Sequence, residues 1–205
     1  MSKQEPIKAM EIHGEKKKIV LAGNPNVGKS VFFNSLTGIY VDVSNFPGTT
    51  VDVSHGHFEE YAVIDTPGVY GISSFNDEEK VARDVILTAD LIVNVVDAVH
   101  LERDLFLSLQ VIETGIPTII VLNMMDDAKR EGLKIDLALL EEQLGVPVIP
   151  AVAIKGKGLK ELKEKLREAR TGNIPLERQA QLKALTCRNY CRQSEALLIL
   201  EGDEI

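Results

Sequence analysis

Residues 23–30 read Gly23-Asn24-Pro25-Asn26-Val27-Gly28-Lys29-Ser30, two glycines followed by a lysine and a hydroxyl at the spacing that cradles a polyphosphate. Gly23 and Gly28 let the backbone curl until consecutive N–H groups point inward at phosphate oxygens, and the positive end of a following helix adds a favourable field. Lys29 would reach the β- and γ-phosphates, and the Ser30 hydroxyl would ligate a magnesium ion bridging them. The flanks agree, because an apolar run at 18–22 precedes the loop and a helix-like Val31-Phe32-Phe33-Asn34-Ser35-Leu36 follows it.

Such a loop serves ATPases, kinases and GTPases alike, and four further segments separate them. Asp65-Thr66-Pro67-Gly68 closes a short apolar run, where Asp65 could bind magnesium through water and the Gly68 N–H could sense a γ-phosphate. Asn123-Met124-Met125-Asp126 follows the apolar run 118–122, at the strand end where open α/β sheets bind ligands. Asp126 can accept from both the ring nitrogen and the exocyclic amine of guanine, a pair that adenine does not offer. Two such bonds at about 1.5–3 kcal/mol each give roughly 10²- to 10⁴-fold discrimination. Asn123 would steady the loop.

Asn45-Phe46-Pro47-Gly48-Thr49-Thr50 reads as a loop that closes when phosphate and magnesium draw in a hydroxyl, with Thr50 the first choice and Thr49 its rival. Val152-Ala153-Ile154, after the run 148–151, takes the place where GTPases fold a backbone loop over the guanine oxygen. GTP and GDP with magnesium are the expected ligands.

The elements that must position these groups are short β-rich runs near 17–23, 51–57, 61–65, 90–96, 117–122 and 147–151, alternating with helix-period segments. Runs 51–57 and 61–65 lie too close together for a crossover helix, so they should form an antiparallel hairpin at the sheet edge. Asn76-Asp77-Glu78-Glu79 resembles a capping box opening a helix to about Leu87, the helical period recurs over 102–113 and 136–144, and Gly145 stops the last. Residues 158–170 read as the closing helix, 171–175 as a linker, and 176–200 as helical but too short for its own core. The expected architecture is α/β: a P-loop, small-GTPase-like domain over 17–170 whose mostly parallel six-stranded sheet has one antiparallel edge strand. A loose tail over 1–16 precedes it and a short helical appendage over 171–205 follows.

The 205 residues carry a formal net charge of −8, which argues against a nucleic-acid backbone as partner. The apolar runs fall far short of the roughly 20 residues needed to span a bilayer, so direct membrane insertion by this chain is not expected. The N-terminal segment lacks the apolar core of a signal peptide. Cys187 and Cys191 are too few and too late to suggest a disulfide framework and fit a reducing compartment.

With these boxes in hand, residues 17–170 resemble the cytoplasmic GTPase domain of the ferrous iron transport protein B family. The specific likeness lies in Asn45-Phe46-Pro47-Gly48, Asp65-Thr66-Pro67-Gly68-Val69-Tyr70, Ala82-Arg83-Asp84, Val96-Asp97-Ala98 with Leu101-Glu102-Arg103, and Asn123-Met124-Met125-Asp126. The resemblance implies a potassium-responsive GTPase that regulates a transmembrane iron-permeation region of the same full-length protein, at the cytoplasmic face of the bacterial inner membrane. It also implies that the appendage begins a regulatory spacer domain, and that Asn26 would hold the potassium ion. Read from the residues alone, Asn26 could equally be a loop amide satisfying nearby backbone groups.

The chain departs from the family pattern at Phe46 for Trp, Asp52 for Glu, Val152 for the Ser of the guanine-cap box and Ile154 for a polar residue, while Met124 stands where most GTPases have Lys, a change that this family tolerates. Val69 stands where Ras-like enzymes carry the glutamine that orients water, so hydrolysis is expected to rest on Lys29, Thr50, Gly68, backbone N–H groups and cations, and to be slow. Two other readings share parts of the pattern. One is a stand-alone ribosome-assembly or RNA-modification GTPase, and the other a nucleotide-binding signalling module with incidental hydrolysis.

Overall fold

The computed structural model describes residues 16–38, 41–46, 49–73, 76–189 and 192–202. Its centre is strand β1 (Lys17–Gly23), where Ile19, Val20, Leu21 and Ala22 are all fully buried, as a strand covered on both faces must be. Helix α1 (Lys29–Thr37) follows the loop, then strands β2 (Val41–Asn45), β3 (Asp52–Phe58) and β4 (Tyr61–Asp65). Helix α2 (Asp77–Ile86), strand β5 (Leu91–Asp97), helix α3 (Leu101–Glu113) and strand β6 (Thr118–Asn123) come next. Helices α4 (Met125–Arg130) and α5 (Leu137–Leu144), strand β7 (Val148–Pro150) and helices α6 (Leu159–Lys165), α7 (Leu176–Asn189) and α8 (Gln193–Glu201) complete the chain.

The strands form one sheet in the order β2-β3-β4-β1-β5-β6-β7, parallel from β4 through β7, with β3 antiparallel to both its neighbours. The small-GTPase-like α/β architecture is as expected. The sheet has seven strands rather than six, because β2 pairs with β3, and the antiparallel strand therefore lies one place in from the edge. The segment Val41-Asp42-Val43-Ser44-Asn45 has little apolar content, and Val43 remains 61% exposed, which is why it reads poorly as a strand.

The two faces of β1 feed different layers. Ile19 and Leu21 pack with Phe32, Phe33 and Leu36 of α1 and Leu162 of α6, while Val20 and Ala22 pack with Val81 and Ile86 of α2 and Leu107 and Val111 of α3. The helix ends follow local chemistry: Asn76 caps α2 by accepting from the Glu79 N–H at 2.8 Å, and Asp136 caps α5 by accepting from the Leu139 N–H at 3.0 Å. Gly145, with φ 71°, ends α5. The closing helix is shorter than 158–170, since α6 gives way to a 3-10 turn over Leu166–Glu168.

The helical segment 176–200 is divided into α7 and α8, which pack onto the main core. Leu182 of α7 and Ala196, Leu197 and Leu198 of α8 join the layer over α2 and α3. Arg178 pairs with Glu113 of α3 at 2.9 Å and with Glu201. The linker is fitted rather than loose, because the Asn173 side-chain amide donates to the carbonyls of Glu142 and Gln143 at 2.9 and 3.2 Å. Cys187 falls on α7, whereas Cys191 and most of the N-terminal tail lie outside the described residues.

Because Leu197 is fully buried in this layer, Leu197→Ala should lower the free energy of unfolding by about 2–5 kcal/mol. Urea denaturation measures it, and a midpoint equal to the native one would show that α8 adds nothing to the core.

Candidate functional site

Strand register gathers the predicted groups at one rim. Leu21 pairs with Asp65 across β1 and β4, Gly23 with Val95, Asp97 with Asn123, and Leu122 with Pro150, so each box emerges at the carboxyl end of its strand. Gly23 must be glycine, since a Cβ there would lie 2.3 Å from the Val95 carbonyl oxygen. Gly28, at φ 92°, turns the loop into α1, and a Cβ there would lie 2.7 Å from Asn123 Nδ2.

Lys29 is 8% exposed, and its ammonium donates to the carbonyls of Gly23 and Asn24, each at 3.3 Å. Burial pushes its pKa below the usual value, against the pull of nearby Asp65. The Ser30 hydroxyl donates to Asp65 Oδ2 at 2.9 Å, while Asp65 Oδ1 is buried with no hydrogen-bond partner. Burial raises the Asp65 carboxyl pKa, opposed by the Ser30 bond and by Lys29. A lysine, a hydroxyl and a half-satisfied carboxylate thus meet at the loop mouth. That set suits a phosphate chain and a hard, oxygen-seeking cation.

Asn26 takes a left-handed φ of 64°, costly for a non-glycine residue, and its exposed side chain makes no hydrogen bond to the loop backbone. Asn24, Pro25 and Val27 contribute through the backbone: the Asn24 side chain is buried and turned away, and that of Val27 sits in the core. A Cβ on Gly68 would lie 2.7 Å from Pro25, and the Val69 N–H donates to the Gly23 carbonyl at 3.2 Å, so the Asp65–Gly68 box lies against the phosphate loop. Val69 is 1% exposed and faces the core, where it cannot meet a water.

The two threonines separate. Thr49 Oγ1 is occupied within its turn, donating to the Phe46 carbonyl at 3.1 Å and accepting from the Val51 N–H at 3.2 Å. Thr50 is exposed and its hydroxyl has no partner among the described residues, but no hydrogen bond brings it to Ser30 or Asp65. Pro47 and Gly48 lie outside the described residues.

At the base end, Asn123 Nδ2 donates to the Val27 carbonyl at 2.9 Å and its Oδ1 accepts from the Ala153 N–H at 3.0 Å, which ties the phosphate loop to the cap loop. Met124, at φ 61°, turns the chain into α4, with Asp126 on its first turn. Val152 is spent inward, donating its N–H to the Lys157 carbonyl at 3.1 Å, whereas Ile154 stands 85% exposed. The Val152-Ala153-Ile154 cap is therefore divided: two residues hold the loop and the third faces outward.

Two further contacts at these loops were not legible in the sequence. Lys155 Nζ lies 2.6 Å from Asp126 Oδ2 and holds that carboxyl below the usual range. Asp104 of α3 accepts from Asn24 Nδ2 at 2.6 Å. Lys155 had a signal, a basic residue directly after the cap triplet. Asp104 had only the look of an acid in the first turn of a helix.

The family model described as ferrous iron transport protein B matches residues 17–166. This chain belongs to the ferrous iron transport protein B family. It is 40% identical over 178 residues to the Fe(2+) transporter FeoB of Salmonella typhimurium, covering 82% of this chain and 23% of that protein. To FeoB of Escherichia coli it is 42% identical over 159 residues, 73% of this chain and 21% of the relative. The chain thus spans less than a quarter of the length of these relatives.

Among solved structures, a mutant of S. thermophilus NFeoB bound to GDP superposes with a TM-score of 0.81 at 36% identity, covering 92% of this chain and 80% of that one. A second S. thermophilus mutant, bound to GMPPNP, gives 0.76 at 37% identity over the same shares. The cytosolic domain of L. pneumophila FeoB gives 0.80 at 34%, covering 92% and 83%.

A raised Asp65 pKa means that the folded state favours the protonated carboxyl. That stabilisation is present below the ordinary carboxylate range and is lost as pH rises through the folded value, so at neutral pH the ionised group costs stability. Asp65→Asn should therefore raise the thermal midpoint of the nucleotide-free protein at pH 7, with the gap closing as pH falls and native Asp65 takes up its proton. An Asp65→Asn midpoint below native at pH 7 would contradict this.

Proposed function

We propose that this chain is the guanine-nucleotide switch of a ferrous iron transporter. It binds GTP, hydrolyses it slowly, and regulates iron passage through a membrane region of the same full-length protein, from the cytoplasmic face of the bacterial inner membrane. The observation that carries this reading is the convergence of Lys29, Ser30 and Asp65 at the loop mouth, with one carboxylate oxygen unpartnered. The family membership and the GDP- and GMPPNP-bound relatives support it. Among the described residues no helix is long and apolar enough to cross a membrane.

An arriving β,γ-phosphate would replace the Gly23 and Asn24 carbonyls as the partner of Lys29, a charge-assisted contact in place of two long neutral ones. Ser30, Asp65 and Thr50 would hold magnesium and Asn26 a potassium ion, the two cations supplying positive charge to the phosphates. The Gly68 N–H would follow the γ-phosphate, from a box that packs against Pro25. Since Val69 is buried, water is left to backbone groups, and the rate should fall on the order of 10⁻⁴ to 10⁻² s⁻¹ without a partner. Asp126 would read the two donors of guanine, and the exposed turn at Ile154 would close over the base oxygen.

Calorimetry should find GTP bound at least 100-fold more tightly than ATP, and Asp126→Asn should weaken GTP while favouring xanthine nucleotides. Equal binding of ATP and GTP by the native chain would defeat the assignment.

Potassium should accelerate GTP hydrolysis over sodium, and Asn26→Ala should erase that difference without changing the fold. The Asn26 side chain makes no bond that its removal would break. Equal native rates in the two salts would exclude the cation role.

A further inference from the structure

We propose that Asp104 is a positioning residue of the phosphate-binding loop, acting through Asn24; the proposal rests on the nucleotide-site reading above. The two residues are 80 apart in sequence, yet their side chains meet at 2.6 Å, with Asn24 1% and Asp104 2% exposed. Asp104 Oδ1 accepts from Asn24 Nδ2 and, at 2.8 Å, from Arg103 Nε, while Oδ2 accepts from the Asp97 N–H at 3.0 Å. A buried carboxylate with both oxygens engaged strongly resists losing any donor, so the Asn24 side chain is locked away from the phosphates.

Locking the side chain fixes the residue's peptide. The Asn24 carbonyl is one of the two that hold the Lys29 ammonium, and the next residue, Pro25, is the one packed against Gly68. The same carboxylate steadies the second phosphate-facing loop, because Arg103, bonded to it, lies over the Tyr70 ring at 5.8 Å, two residues beyond Gly68. A simple complement to the helix dipole would sit at the surface, as Glu102 of the same turn does. Asp104 instead points inward, with its charge spent on the loop and the end of β5.

The test compares Asp104→Ala, Asn24→Ala and the double variant by the affinity for a fluorescent GDP, with KM and kcat for GTP. Asp104→Ala should weaken GDP binding about 10-fold, with KM rising more than kcat falls, and Asn24→Ala should do likewise. The double variant should be no more than about 3-fold worse than the worse single one, because each removes the same contact. Ser108→Ala is the control for a merely structural role. Ser108 is fully buried and donates to Asn94 Oδ1 at 2.6 Å, with the Asp104 carbonyl 3.2 Å away, so its loss should lower the thermal midpoint and leave GDP affinity within 2-fold.

Should Asp104→Ala fail to fold, Asp104→Val carries the same comparison, since it fills more of the buried space and offers the Asn24 amide no acceptor. Exchange of the Asn24 side-chain amide protons, followed by NMR in the nucleotide-free protein, should be slow in the native chain and fast in the Asp104 variant. That readout needs no nucleotide, so failure of the native chain to bind GDP would count against the nucleotide reading and not against the clamp. GDP affinity within 2-fold of native in the Asp104 variant, fully additive losses in the double variant, or unchanged amide exchange would overturn the proposal.

Discussion

A buried ammonium whose direct hydrogen-bond partners are two carbonyls of its own loop is the constraint around which this molecule is arranged. Lys29 lies 3.3 Å from each of those oxygens, and burial disfavours its charge. Among the described residues, the pull of Asp65 is outweighed by burial. Asp65 helps from across the site, but its own carboxyl is strained upward by burial and left with one unpartnered oxygen. The free site therefore holds an ammonium and a carboxylate that attract each other but whose charges burial disfavours, a condition that an anion with its metal ion would relieve. Stability is given up there and recovered in the fully buried layers on either side of β1.

The sheet holds these groups in place. Because β1, β4, β5 and β6 run parallel and in the observed register, the phosphate loop, Asp65, Asp97 and Asn123 all emerge at one rim. Cross-ties then join the loops to one another: Asn123 links the phosphate loop to the base cap, and Val69 links the Asp65 box to Gly23. The C-terminal helices complete this body on the α2 and α3 face, where Gln110 of α3 accepts from the Ile72 N–H at 2.9 Å and donates to Glu201 at 3.3 Å.

What the sequence made legible was local chemistry. The phosphate loop, the Asp65 box and the Asn76 and Asp136 caps each depend on residues within a few positions of one another, so spacing alone identifies them. Strand β2 was hidden because its side chains are mostly polar and its pairing is one-sided, and α4 because its entry is a left-handed Met124 rather than a usual cap. Lys155 with Asp126, and Asp104 with Asn24, are pairings across 29 and 80 residues that only the sheet order brings together. Val152 is a different case, since its inward role comes from a local bridge to Lys157 closed by the turn between them.

The pKa of the Lys29 ammonium, followed by NMR of selectively labelled lysine with and without GDP, tests the central claim most directly. The free protein should give a value below that of an ordinary lysine, and saturating GDP should raise it, because phosphate oxygens supply the negative charge that two carbonyls cannot. An ordinary value in the free protein, or one that GDP leaves unmoved, would mean that this lysine is not the poised charge around which the site is built.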